Sequence, residues 1–116
     1  MTDESCLFCK IVAGDIPSDK VHEDELVLAF NDINPVAPVH QLVIPKRHIA
    51  SAADLNESDS ALLGRLFAVS AELAVRAGLP DSGYRVVTNC GRDAGQEVMH
   101  LHFHMIAGRG FSWPPG

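Results

Sequence analysis

His100-Leu101-His102-Phe103-His104-Met105-Ile106 alternates imidazoles with apolar side chains. Successive side chains of a β-strand point to opposite faces. A strand here puts His100, His102 and His104 on one face and Leu101, Phe103 and Met105 on the other. Hydrogen-bonding three buried imidazoles is costly unless they serve something, so the run points to phosphorus chemistry or to a metal. Side chains two residues apart on a strand lie roughly 6–7 Å apart, so the three rings cannot act as equals on one small atom. His102 is flanked by the others and is the expected nucleophile or base, with His100 and His104 as supports. A neutral imidazole can attack phosphorus to form a phosphohistidine. Its other nitrogen must then keep a proton and donate it, often to a backbone carbonyl. Further groups must hold the phosphoryl oxygens and protonate the leaving group. His104, His40 and the amides of the glycine-containing 91–96 loop are available for this, since such loops form anion-binding nests. His-x-His on a strand can also chelate zinc, but Glu97 is the only carboxylate near the motif.

At 116 residues the chain is expected to be one domain, 1–116. Fifteen acidic against nine basic residues give a net charge of −6, which excludes nonspecific duplex binding, since that needs broad phosphate neutralisation. No nucleic-acid partner is expected. A small anion held by a few local donors remains compatible with that charge. No apolar run approaches the roughly 20 residues that span a bilayer, so no membrane partner is expected. Met1-Thr2-Asp3-Glu4-Ser5 is acidic and polar, unlike a signal peptide, which points to the cytoplasm.

Residues 6–13 read as a short helix with Leu7, Ile11 and Phe8 inward, ended by Gly14 and Pro17. Strands are expected at 20–23, 26–30, 40–44 and 84–89, and over the histidine run. Asn56, with Asp59 three residues on, caps a long helix. Its inward face is Leu63, Leu66, Phe67, Ser70, Leu73, Ala74 and Ala77, and Gly78 and Pro80 end it. Trp113-Pro114-Pro115-Gly116 cannot be helical. This is an α+β pattern: an antiparallel sheet of about five strands with one long and one short helix, the helices on one side. A sheet this small needs its edge covered, and an exposed terminal Trp suggests a homodimer.

The same residues resemble the histidine triad superfamily, and in particular its Hint branch of nucleotide-binding proteins. The likeness covers nearly the whole chain. It rests on the triad, on Cys6-Leu7-Phe8-Cys9-Lys10-Ile11, on Ala29 to Pro35, on the block from Pro38 through Pro45-Lys46-Arg47-His48-Ile49, and on the Trp-Pro-Pro-Gly ending. The resemblance implies a nucleoside phosphoramidase acting on the P–N bond of purine nucleotide amides. It implies that His102 carries the nucleotidyl group, oriented by the His100 carbonyl, with His40 beside the triad. It places His104, Asn89 and the amides near Gly95 and Glu97 on the phosphate, Asp32 on the ribose hydroxyls, and Phe8, Ile11, Phe30, Ile33 and Leu42 around the base. It also implies a sheet continued across a homodimer, with the 109–116 tail at the interface and Trp113 reaching the partner's site. Family members close to the eukaryotic type carry Ser where Glu97 stands, so only the Glu97 amide transfers.

Cys6 and Cys9 form a Cys-x-x-Cys pair at zinc spacing, two ligands short of a tetrahedral site. Some bacterial histidine-triad proteins pair such cysteines with histidines at the positions of His48 and His100, which implies a structural zinc here. Two inert buried thiols are the other reading. Cys90 reads as a small buried hydrophobe. The alternatives to a phosphoramidase are a dinucleoside polyphosphate hydrolase, which the Trp-Pro-Pro-Gly ending opposes, and a nucleotide- or zinc-binding module with little catalysis.

Overall fold

The strand-forming runs pair into one antiparallel sheet in the computed structural model, which describes residues 3–78 and 81–116. Pro80, one of the expected helix terminators, lies outside the described residues. Helix α1 is Leu7–Ala13, and the strands are β1 Lys20–Glu23, β2 Val27–Asn31, β3 Val39–Pro45, β4 Tyr84–Val87 and β5 Phe103–Ala107. Helix α2, Ser60–Arg76, lies between β3 and β4 in the chain, and the spatial order is β1-β2-β3-β5-β4. Among the described residues, no helix is long and apolar enough to cross a membrane.

β2 and β3 are buried on both faces. Val27, Ala29 and Val43 meet Leu66, Val69 and Leu73 of α2. The intervening Leu28, Phe30, Leu42 and Ile44 meet Phe8, Cys9 and Ile11 of α1. Withdrawing each large apolar side chain from water is worth about 2 kcal/mol gross. The two helices thus cover opposite faces, which corrects the one-sided arrangement expected from the sequence. Period-2 burial on both sides erases the alternation by which a half-exposed strand is recognised.

Several local expectations also shift. Asn56 and Asp59 do form a capping box, but around a short 3-10 turn, Glu57–Asp59, and α2 proper starts after it. Val69 joins the inner face of α2, while Phe67 is over half exposed and Ala77 is an exposed cap. Leu7 is exposed rather than inward, and Cys90 is exposed rather than buried.

The histidine run is only partly strand. The β3–β5 ladder ends at Val43 opposite Phe103. Two residues further, Leu101 falls opposite Pro45, which has no N–H to give. The Leu101 N–H goes instead to the Ile49 carbonyl at 2.6 Å. His100, at the end of a bend, and His102 therefore sit in the lead-in to β5. The alternation survives, since Leu101, Phe103 and Met105 all pack in the α2 core.

Candidate active site and metal cluster

α1, the loop after it, the end of β2, the middle of β3 and the lead-in to β5 enclose a cavity of about 310 Å³. Its apolar wall contains Phe8, Ile11, Phe30, Ile33 and Leu42, the five side chains expected around a base. Its polar end contains Asp32, Asn89, Gly95, Glu97, His102 and His104. Ile16, Pro17, Ser18, Asp19 and Asn31 also line it. They were not singled out from the sequence, because a loop after a short helix carries no periodic signal.

Two of the imidazoles have proton positions set by backbone groups of fixed polarity. His102 Nδ1 lies 2.6 Å from the His100 carbonyl. A carbonyl only accepts, so Nδ1 carries the proton and the lone pair is on Nε2. His40 is fixed from the other side. Its Nδ1 lies 3.1 Å from the Val36 N–H, which only donates, so the proton is on Nε2. Nε2–H then donates to His104 Nδ1 at 2.8 Å, which leaves the His104 proton on its own Nε2. His40 is buried behind His104, with Asp32 Oδ2 3.4 Å from its Nε2. Neither sequence pattern nor spacing could single out Val36, because its part is played by its backbone.

Burial holds His104 down to about 4, helped by nearby His102 and His40 and opposed by Asp32. Burial also lowers His40, again opposed by Asp32. Both rings are therefore neutral at pH 7, and His104 is a hydrogen-bond donor rather than a cation. Asp32, His40 and His104 bring three donor atoms close together, as a metal site would. The Val36 bond argues against one: with Nδ1 accepting an N–H, the His40 ring could offer Nε2 to a metal only as an imidazolate.

The 91–96 loop departs from the expected nest. Gly95 N–H donates to the Arg92 carbonyl at 3.0 Å, and Gln96 N–H to the Gly91 carbonyl at 3.1 Å. Gly91 N–H is taken by Gln96 Oε1 at 3.0 Å. Those amides are engaged inside the loop, so the expectation that the Gly95 amide holds phosphate is revised. The Glu97 N–H makes no such bond among the described residues. Gln96 was missed from sequence. It locks the loop, since its Nε2 also donates to the Ala50 and Val98 carbonyls.

His100 does not face the cavity. It is fully buried, and its Nε2–H donates to the Pro45 carbonyl at 2.8 Å. That turns the Nδ1 lone pair toward Cys6 Sγ, 3.3 Å away, and Cys9 Sγ, 3.6 Å away. The ring cannot also act on phosphorus, which corrects its place among the expected catalytic side chains; its carbonyl is what serves His102. His48 Nδ1 lies 3.3 Å from Cys9 Sγ. All four donor atoms lie within 4.8 Å of one another. Zinc bonds of about 2.3 Å to sulfur and 2.0–2.1 Å to nitrogen give a tetrahedral S···N edge of about 3.6 Å. The donor set and its spacing therefore fit zinc, and the Pro45 carbonyl is the outer partner such a histidine ligand takes. Burial raises the Cys9 thiol.

Trp113 is 83% exposed and does not line the cavity of its own chain.

Comparison with known proteins agrees with this architecture. The HIT domain model matches residues 13–111. A HIT-like protein of Synechocystis sp. is 47% identical over 97% of this chain and 98% of its own. The purine nucleoside phosphoramidase of Escherichia coli K12 is 43% identical over 91% of this chain and 89% of its own. The crystal structure of a HIT family hydrolase from Legionella pneumophila superposes with a TM-score of 0.94 at 50% identity, covering 96% of this chain and 99% of that one. With the family model spanning most of the chain and relatives near half identity along its length, the coarse activity supported is that of a hydrolase, and the chain belongs to the HIT domain family.

Proposed function

We propose that this protein is a nucleoside phosphoramidase that hydrolyses the P–N bond of purine nucleoside 5′-monophosphate amides through a nucleotidyl-histidine on His102. The observation that carries the reading is the 2.6 Å bond from His102 Nδ1 to the His100 carbonyl. It leaves Nε2 as a lone pair on a ring that lines the cavity. Nε2 attacks the α-phosphorus, and the P–N bond breaks with its electron pair leaving on nitrogen. The amine takes its proton from water at the open mouth, because neutral His104 has none to spare. The Nδ1–H bond to the carbonyl supports the positive charge that develops on the ring. His104 Nε2–H and the Glu97 amide donate to the phosphoryl oxygens. Water then displaces His102 Nε2, releasing the nucleoside monophosphate and restoring the ring. Asp32 accepts from the ribose hydroxyls and the apolar wall holds the base, a reading supported by their shared place in the cavity lining. The name of the Escherichia coli relative supports the same substrate class.

We infer that Cys6, Cys9, His48 and His100 hold a structural zinc, whose chemistry is to cross-link α1 to the lead-in of β5 through thiolate and imidazole bonds. A cytoplasmic location suits those thiols, since they stay reduced there. A homodimer joined at β4 is the assembly we favour. The other edge, β1, carries Lys20 and Glu23 and an irregular register, both of which blunt pairing. β4 offers Tyr84, Val86 and Val87 instead, and the α2 surface leaves Phe67 and Val75 exposed.

The test is turnover of a fluorogenic adenosine phosphoramidate. His102→Ala should lose roughly a thousandfold or more while the fold and adenosine monophosphate binding persist. Retained turnover in that variant removes the covalent mechanism, and nucleotide binding without turnover in the unmodified protein leaves a binding module.

A further inference from the structure

The tail beyond β5 is tied back to the 32–38 loop. Arg109 Nε–H donates to the Val36 carbonyl at 3.1 Å. At Gly108, whose φ is +94, an added Cβ would lie 2.9 Å from the Pro38 Cβ, so backbone and ring are already in contact. The Arg109 guanidinium is itself held in place. Its carbon lies 4.4 Å from the Phe111 ring centroid, and Nη1 donates to the Gly110 carbonyl at 3.0 Å. Arg85 of β4 approaches the same ring at 5.2 Å and donates to the Ser112 carbonyl at 3.0 Å. None of these residues lines the cavity.

Val36 is where this clamp meets the chemistry. Its side chain is 56% exposed and gives the residue little anchorage. Its position rests on its peptide groups: the carbonyl is held by Arg109, and the N–H holds His40 Nδ1. That N–H is what puts the His40 proton on Nε2 and makes His104 Nδ1 the acceptor. Freed from Arg109, the carbonyl turns to water, and the N–H on the same residue loses its fixed direction.

We propose that Arg109 is a positioning residue for the phosphate end of the cavity, acting through Val36 to fix the tautomers of His40 and His104. Its consequence for turnover rests on the phosphoramidase reading; its consequence for the tautomers does not. A second tie, Gly108 against Pro38, keeps the loop attached when Arg109 is changed, so a variant loses alignment rather than the fold.

Long-range ¹H–¹⁵N spectra of the histidine rings, with kcat and KM for an adenosine phosphoramidate, test this on the full chain. The unmodified protein should show His40 and His104 each as a single Nε2–H tautomer. Arg109→Ala should show a mixture at both, with kcat down about tenfold, the worth of one hydrogen bond, and KM nearly unchanged. Arg109→Lys should restore most of the signal, because its ammonium still reaches the Val36 carbonyl. Unchanged tautomers in Arg109→Ala overturn the proposal, whether or not activity falls. Mixed tautomers in a protein that never turns over the substrate keep the positioning role and remove the enzymatic reading instead. Should Arg109→Ala fail to fold, Arg109→Met keeps an apolar stem against Phe111 but removes the donor to the Val36 carbonyl, and an unchanged spectrum there overturns the proposal equally.

Discussion

Acid should weaken this fold through His104 before it reaches the carboxylates. Burial, with His102 and His40 nearby, holds His104 down to about 4, against an ordinary histidine value of 6.5. The folded value lies below the unfolded one, so the unfolded chain takes up the proton first. The contribution is complete above about pH 6.5 and is lost as pH falls toward about 4. Between pH 7.5 and pH 5 these two values give a loss of about 2 kcal/mol. His104→Gln keeps an acceptor for the His40 Nε2–H but does not titrate. Urea unfolding at the two pH values should therefore show the variant losing about 2 kcal/mol less than the unmodified protein. His40 and His100 are lowered in the same direction and remain in both proteins, so they largely cancel in the difference. Asp24 titrates outside the window. Burial raises its carboxyl, but bonds from His22, Leu26, Arg65 and Val27 together pull it well below the usual carboxylate range. Its contribution is lost only below about pH 4. Equal losses in the two proteins would refute the neutral His104, and with it the argument that His104 donates a hydrogen bond rather than a proton to the leaving group.

The zinc reading expects close to one zinc per chain in elemental analysis of the purified protein, and much less after Cys9→Ser. Chelation should lower stability by about 3 kcal/mol if zinc stands a few hundredfold above its Kd; no metal at neutral pH with both thiols free to react would remove the site. The dimer reading expects the 12.5 kDa chain to sediment at twice that mass. Tyr84→Lys with Val75→Lys should shift it toward the single chain, and a single-chain mass for the unmodified protein would sink the β4 interface.

Much of the sheet was legible because each strand is bounded by a turn residue and carries its own apolar run. β1 falls on the expected residues, and β2 and β3 differ only at their ends. The start of β5 was not legible, because it is decided by what lies opposite: Pro45 withholds the N–H that would extend the ladder to Leu101. The cover on the second face was not legible either. A seven-residue helix contributes only Phe8, Cys9 and Ile11 to that face, too few to show which side of the sheet it takes. Within the site, side chains were easier to read than backbone. His102, Asp32 and the apolar wall all line the cavity. Gly95 misled because a glycine-containing turn does not say where its amides point. The roles of Val36 and of the His100 carbonyl lie in peptide groups, which are common to every residue and carry no mark in sequence.

One short segment thus joins both the cysteine cluster and the cavity, and Phe8 shows how the two are kept apart. Its ring stands edge-on to both His100 and His102, with centroids 5.9 and 5.1 Å away. On one side His100 turns its Nδ1 to the two thiols. On the other His102 lines the cavity. The segregation also joins the sites: the His100 side chain is anchored at the cysteine cluster and at Pro45, and that anchorage sets the carbonyl which fixes the His102 proton. A residue whose ring faces away from the cavity therefore sets the His102 tautomer through its own peptide group.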